Sequence, residues 1–361
     1  MRLFKLLALA VVATFAATAA LADGFPVGER HLIAPNPTAA LRDADHKRDV
    51  RVTVWYPAAG GAEEKSLDIG PPAQPLFYVG SAAPDAAFAD SRRRPVILFS
   101  HGYGGSARMM AWFSTVLAQQ GYVVIAVDHP GNNAIDQGTV PGAALFWDRA
   151  DDLEAALDRA KSDPVIGPHL DARRLGVAGY ANGGVTALLA AGARVDLAHF
   201  QAFCAAHPDD SICKPQPEFP ATLDEQAKAL ATPELAAEAA RAGEDHSIRG
   251  VGAIFLMAPA FVQALDPASL TPLAIPAAII LGEADPVAAP HLNGGVVARA
   301  IPRAQLKALP RVGHYDFVST CSDQARATLP LCQGLATPQG PTHFAALQMA
   351  LNLFANALGP P

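Results

Sequence analysis

Between Leu175 and Leu189 the chain reads Leu-Gly-Val-Ala, then Gly179-Tyr180-Ala181-Asn182-Gly183-Gly184, then Val-Thr-Ala-Leu-Leu. A short apolar run, a glycine-bounded turn and a second apolar run are the signature of a strand, a tight turn and a helix. Glycines are needed there because strand and helix backbones come too close for a Cβ. The spacing is that of G-x-S-x-G, which holds its central residue on a strained strand-to-helix turn above a parallel sheet. Here the central residue is Ala181, and a methyl group cannot attack a carbonyl. The feature therefore fixes the architecture more firmly than the chemistry.

The rest of the chain repeats the same alternation. Val50 to Pro57, Pro95 to Phe99, Tyr122 to Val127, Val251 to Met257, Ala277 to Leu281 and Gln305 to Leu309 suit strands. Helical spacing of apolar residues runs from Ala107 to Gln120 (Met109, Trp112, Phe113, Val116, Leu117) and from about Arg149 to Lys161 (Leu153, Ala156, Leu157, Ala160). A last helix is expected from Thr342, as N-cap, to Leu358, with Gly359 beyond it. The expectation is one α/β domain with a mostly parallel central sheet flanked by helices. Residues 194–249 change character: they are polar, carry one cysteine pair and then an Ala/Glu-rich helical pattern over Leu223 to Ala242. They read as a partly helical cap inserted over the working edge of the sheet.

Residues 1–22 read as an export signal, with Arg2 and Lys5 ahead of the apolar run Leu6 to Phe15 and a small-residue site at Ala20-Leu21-Ala22. That apolar core falls short of the ~20 residues a membrane-spanning helix needs, so no integral membrane segment is expected in the mature chain, 23–361. Losing the signal takes the formal net charge from −7 to −9. An acidic, periplasmic or extracellular product without a Lys/Arg cluster is a poor candidate for nucleic acid. Four cysteines fall in two close pairs, Cys204 with Cys213 and Cys321 with Cys332, which in an oxidising compartment read as two disulfides. Zinc is disfavoured: neither pair has C-x₂₋₄-C spacing, and His207 lacks a partner at zinc-site spacing.

In a parallel sheet, reactive groups collect on loops past the carboxyl ends of strands. Gly282-Glu283-Ala284-Asp285 follows one such run and Val312-Gly313-His314-Tyr315-Asp316 another, so the order nucleophile position, Asp, His is preserved. With Val54-Trp55-Tyr56-Pro57 and Ser100-His101-Gly102-Tyr103-Gly104-Gly105, these motifs make the chain resemble α/β-hydrolases of the dienelactone-hydrolase-like group, close to bacterial relatives of platelet-activating-factor acetylhydrolase. The likeness spans nearly all of the mature chain and implies the α/β-hydrolase fold. It implies His314 as general base, Asp285 as the acid that orients it, and the backbone N–H groups of Tyr103 and Asn182 as oxyanion hole. It implies a small-molecule ester or lactone as substrate and no metal or organic cofactor. In the acetylhydrolase branch the acid lies soon after the preceding strand, but Met257-Ala258-Pro259-Ala260 holds no carboxylate; Asp266 is therefore the second candidate, and Glu283 is expected to face elsewhere.

Other polar residues receive plainer readings. His129 either touches substrate or bonds to its own loop, His343 lies on a helix surface, and Asp151 and Asp152 form a solvated first helical turn. No second G-x-S-x-G exists in the chain. Two functions stay open: an ester hydrolase whose nucleophile was replaced by design, or a naturally altered relative that keeps the pocket for binding or scaffolding.

Overall fold

A computed structural model of the protein describes residues 24–335 and 338–361. The expected export signal, 1–22, lies outside the described residues. Ten strands form one sheet: β1 (Val27–Pro35), β2 (Asp49–Pro57), β3 (Lys65–Ser66), β4 (Ser81–Pro84), β5 (Arg94–Ser100), β6 (Val123–Asp128), β7 (Leu170–Tyr180), β8 (Val251–Met257), β9 (Ala277–Gly282) and β10 (Ala304–Leu309). Their spatial order is β10-β9-β8-β7-β5-β6-β2-β1-β4-β3. The six from β10 to β6 run parallel, and β2 joins β6 antiparallel, continuing into the β1–β2 hairpin. Every residue of β5 and β6 is buried, as a strand covered on both faces requires.

The cover comes from helices α1 (Ala111–Gln119), α2 (Asp148–Ser162), α3 (Asn182–Ala190), α4 (Leu197–Ala206), α5 (Leu223–Leu230), α6 (Ala236–Ala240), α7 (Gly294–Ala300) and α8 (Gln339–Leu358). Helix α1 packs beside α8 and α2 beside α3, and all four also touch the sheet. The fold is thus the mostly parallel α/β sheet that the sequence predicts.

Two helix boundaries differ from the sequence reading. The Leu223–Ala242 pattern is two helices, α5 and α6, because Pro233 between them removes a helical donor. Helix α8 begins at Gln339 with Pro338 as N-cap, so Thr342 is inside it; Pro341 is accommodated in the first turn, where N–H groups have no partner within the helix.

Three polar readings are corrected as well. Asp152 is fully buried, because it lies on the apolar stripe of α2 and is held by both outer nitrogens of Arg42 at 2.7 and 2.8 Å. Asp151 is partly buried and bridges to Arg241 and His246. His343 is buried, its ring stacked on Trp112 at 3.8 Å and its Nε2 2.9 Å from the Val318 carbonyl oxygen.

Both cysteine pairs are disulfides, Cys204–Cys213 and Cys321–Cys332. The first ties the end of α4 to the loop that follows. The second braces the segment after His314, where Gln339 of α8 also accepts from the Cys321 N–H and donates to the Val318 carbonyl. Among the described residues no helix is long and apolar enough to cross a membrane.

Candidate active site

Strand β7 ends at Tyr180, and α3 opens at Asn182, leaving a single residue, Ala181, to make the turn. Its backbone sits at φ 52°, ψ −119°, a region that non-glycine residues occupy only under constraint. The constraint is visible in the hydrogen bonds. The Ala181 N–H donates to the Met257 carbonyl at 2.9 Å, and its own carbonyl accepts from Gly184 at 2.9 Å and Ala260 at 3.1 Å. A Cβ on Gly179 would lie 1.9 Å from the Gly183 carbonyl oxygen, and one on Gly183 would lie 2.0 Å from that of Ser100. The two glycines thus let strand, helix and neighbouring strand close around the tip.

His314 follows β10, and Asp285 follows β9. His314 Nδ1 lies 2.7 Å from Asp285 Oδ2, and the other carboxylate oxygen accepts from the backbone N–H groups of Val287 and Ala288 at 2.8 and 2.7 Å. With Nδ1–H donating to the carboxylate, the Nε2 lone pair is left for the cavity that His314 lines together with Ala181. The Tyr180 hydroxyl donates to the His314 carbonyl at 3.1 Å, tying the His314 loop to the strand that carries the turn. Tyr103 and Asn182 line the same cavity. As the first residue of α3, Asn182 offers an N–H with no acceptor within its helix, and the Tyr103 N–H meets no protein acceptor among the described residues.

The structure brings Ala181, His314, Tyr103 and Asn182 to one cavity, with Asp285 directly behind the histidine. Asp266 is not part of this cluster; its side chain caps the short helix Pro267–Leu270 by accepting from Ala268. Glu283 is exposed. His129 does not line the cavity. It is buried between Ser100, whose hydroxyl donates to its Nε2 at 2.9 Å, and Asp152, 2.8 Å from its Nδ1.

That buried cluster was not anticipated, and it holds the loop carrying Tyr103. Arg149 of α2 donates to the His101 carbonyl and reaches Ser100 Oγ at 3.4 Å and Asn132 Oδ1 at 3.5 Å. Asn132 Oδ1 also accepts from the Gly104 N–H at 3.1 Å, and His101 Nε2 accepts from the His129 N–H at 3.2 Å. Burial pulls the Arg149 pKa down to about 9, which leaves it charged at neutral pH, and pushes His129 down to about 3, with Arg149 adding to the effect. His129 is therefore neutral, with Nδ1–H on Asp152. A sequence signal existed: Arg149 and Asp152 stand three apart on the stripe that continues through Leu153, Ala156 and Ala160.

Residues 88–211 match a family model described as PET hydrolase-like. A stretch of 103 residues is 38% identical to cutinase est2 of Thermobifida alba, covering 28% of this chain and 31% of that protein. Cutinase 2 of Thermobifida cellulosilytica is 35% identical over 103 residues, again 28% of this chain and 36% of the relative. The chain thus spans about a third of the length of the curated relatives it matches. A ferulic acid esterase from Streptomyces cinnamoneus superposes with a TM-score of 0.61 at 19% identity, covering 94% of this chain and 92% of that one. The chain has the α/β-hydrolase fold. The sequence relatives are cutinases matched over 103 residues, and the structural likeness extends over nearly the whole chain.

Proposed function

We propose that this protein is an exported carboxylic-ester hydrolase in design, with Ala181 at the nucleophile position, and that the covalent route is closed in the chain as written. The observation that carries the proposal is the strained Ala181 backbone at the rim of a cavity shared with a His314–Asp285 pair. A turn costing on the order of 1–3 kcal/mol is retained where a reactive side chain would need it. The two disulfides fit an oxidising compartment, in keeping with residues 1–22 as a signal.

With serine at position 181, its Oγ attacks the ester carbonyl carbon while its proton passes to His314 Nε2. Asp285 stabilises the imidazolium, and the N–H groups of Tyr103 and Asn182 receive the oxyanion. Collapse expels the alcohol, which takes the proton from His314, and water then deacylates the enzyme by the same sequence. With alanine, the remaining groups bind the ester and polarise its carbonyl, which in enzymes of this type leaves roughly 10³–10⁴-fold catalysis over water.

The second reading is a natural relative that binds an ester or related ligand without turning it over. The intact cavity around a residue that cannot react favours it. Assaying the chain and Ala181→Ser on a panel of p-nitrophenyl esters tests the first reading: turnover by the serine variant alone is expected, and an inert serine variant rejects a hydrolytic site here.

A further inference from the structure

The cavity beside Ala181 has a roof that does not come from the sheet. The strap from Ser211 to Gln226 places Ile212, Gln216, Glu218, Ala221, Leu223 and Gln226 in its lining. Two tyrosines pin the strap. The Tyr103 hydroxyl donates to the Phe219 carbonyl at 3.1 Å, and the Tyr315 hydroxyl donates to Glu218 Oε1 at 2.8 Å. Each tyrosine belongs to the machinery below: Tyr103 carries an oxyanion N–H, and Tyr315 adjoins His314.

The strap is also stiff. Pro215, Pro217 and Pro220 fix φ at three of its positions. The Cys204–Cys213 disulfide anchors its start, and a capping box at Thr222 and Glu225 fixes the helix at its end. The roof is thus a braced wall over one side of a cleft of about 220 Å³. Met109, Met110, Phe261 and Val318 line the rest of it together with Tyr103 and Tyr315. Lys214 also lines this space, its ammonium exposed and 3.4 Å from the exposed Asp209, whereas Arg149 lies beneath the Tyr103 loop on the buried side.

Resting on the ester-hydrolase reading of the site, we propose that the strap makes this a pocket for single, uncharged, monomer-scale esters with an aryl or short acyl group, and that it excludes polymer chains. Benzene fills an apolar cavity of ~150 Å³, so the space here suits a group of roughly ten non-hydrogen atoms. The aromatic and thioether walls favour a flat aryl group, and burying a charge among these mostly apolar side chains is costly, which disfavours a charged one. The strap lies almost entirely past residue 211, where the likeness to the PET hydrolase-like model ends.

The test uses Ala181→Ser on p-nitrophenyl butyrate, p-nitrophenyl benzoate, p-nitrophenyl palmitate and a polycaprolactone film. Butyrate and benzoate are expected to turn over, palmitate to fall at least about 100-fold in kcat/KM, and the film to release no soluble product. Adding Tyr315→Phe frees one side of the strap, and the palmitate-to-butyrate ratio is expected to rise by about 5–10-fold. Film hydrolysis, comparable rates on palmitate and butyrate, or an unchanged ratio in the double variant overturns the proposal while leaving the hydrolase reading in place. If Ala181→Ser is inert on every ester, the hydrolase reading fails instead, and calorimetry on the chain as written decides the pocket class. Binding of methyl benzoate but not of a caprolactone oligomer supports the proposal, and any other pattern overturns it.

Discussion

The Ser100 hydroxyl donates to Nε2 of His129 at 2.9 Å, and His129 in turn faces Asp152 at 2.8 Å. The order and polarity are those of a catalytic Ser-His-Asp relay, one strand away from the turn that lacks a serine. All three side chains are buried without solvent contact, and Ser100 Oγ is also within reach of Arg149. A nucleophile that no ester can approach does not substitute for Ala181. The chain as written is therefore expected to resist a fluorophosphonate probe, whereas Ala181→Ser is expected to gain one adduct by intact mass. An adduct on Ser100 in the unaltered chain would show that this second relay is open to substrate.

In the Ala181→Ser background, Asp285→Asn is expected to lower kcat by about 10⁴ with KM changed little, because an amide there favours the wrong His314 tautomer. The Val287 and Ala288 N–H groups still hold the side-chain oxygen in place, so the protein should fold normally. Steady-state kinetics with circular dichroism check this. A loss of less than tenfold would remove Asp285 from the role.

The turn, the parallel order of strands and the pairing of His314 with Asp285 could be read because each depends on local sequence: glycines at fixed offsets, continuous apolar runs, and polar residues just past them. The buried support could not be read the same way. Asp152 and Arg149 are charged, so composition places them in water, while helical periodicity places them inside; the contact that decides between these readings, Arg42, lies 110 residues earlier. The burial of His343 is hidden for a related reason, since its neighbour Trp112 comes from a helix far away in sequence. The connection from Pro57 to Arg94 hid β3 and β4, which have two and four residues, too few for any period to show.

Acid should destabilise the fold before it protonates the native histidines. Burial pushes His343 down to about 4, from an ordinary value of 6.5, and His129 to about 3. Below pH 6.5 the unfolded chain takes up protons that the folded chain refuses, so stability falls as pH drops from about 6.5 towards about 4. At pH 5 each such histidine costs about 2 kcal/mol relative to pH 7. His246 acts in the opposite sense: burial lowers its pKa, but the Asp151 carboxylate raises it by more. His343→Phe isolates one contribution, since the ring can still stack on Trp112. The variant is expected to lose about 1 kcal/mol or less at pH 7, where the Val318 carbonyl loses one of its two donors and keeps Gln339, and to show a smaller fall in Tm between pH 7 and pH 5. Equal slopes for the two proteins would contradict the burial argument.

Ala181 itself offers a stability test that needs no substrate. At φ 52°, ψ −119° an alanine carries backbone strain of roughly 1–3 kcal/mol. Glycine relieves that strain, at a cost of about 0.4–1 kcal/mol in unfolded-chain entropy and somewhat less than 1 kcal/mol for the buried methyl. Because the surrounding hydrogen bonds to Met257, Gly184 and Ala260 all use backbone atoms, the substitution leaves them in place. The net gain is expected to be small and positive, seen as a rise of a degree or two in Tm for Ala181→Gly by scanning calorimetry. A lower Tm would mean that the turn is held without strain at position 181, and the argument that the fold preserves a costly conformation for a reactive side chain would lose its energetic basis.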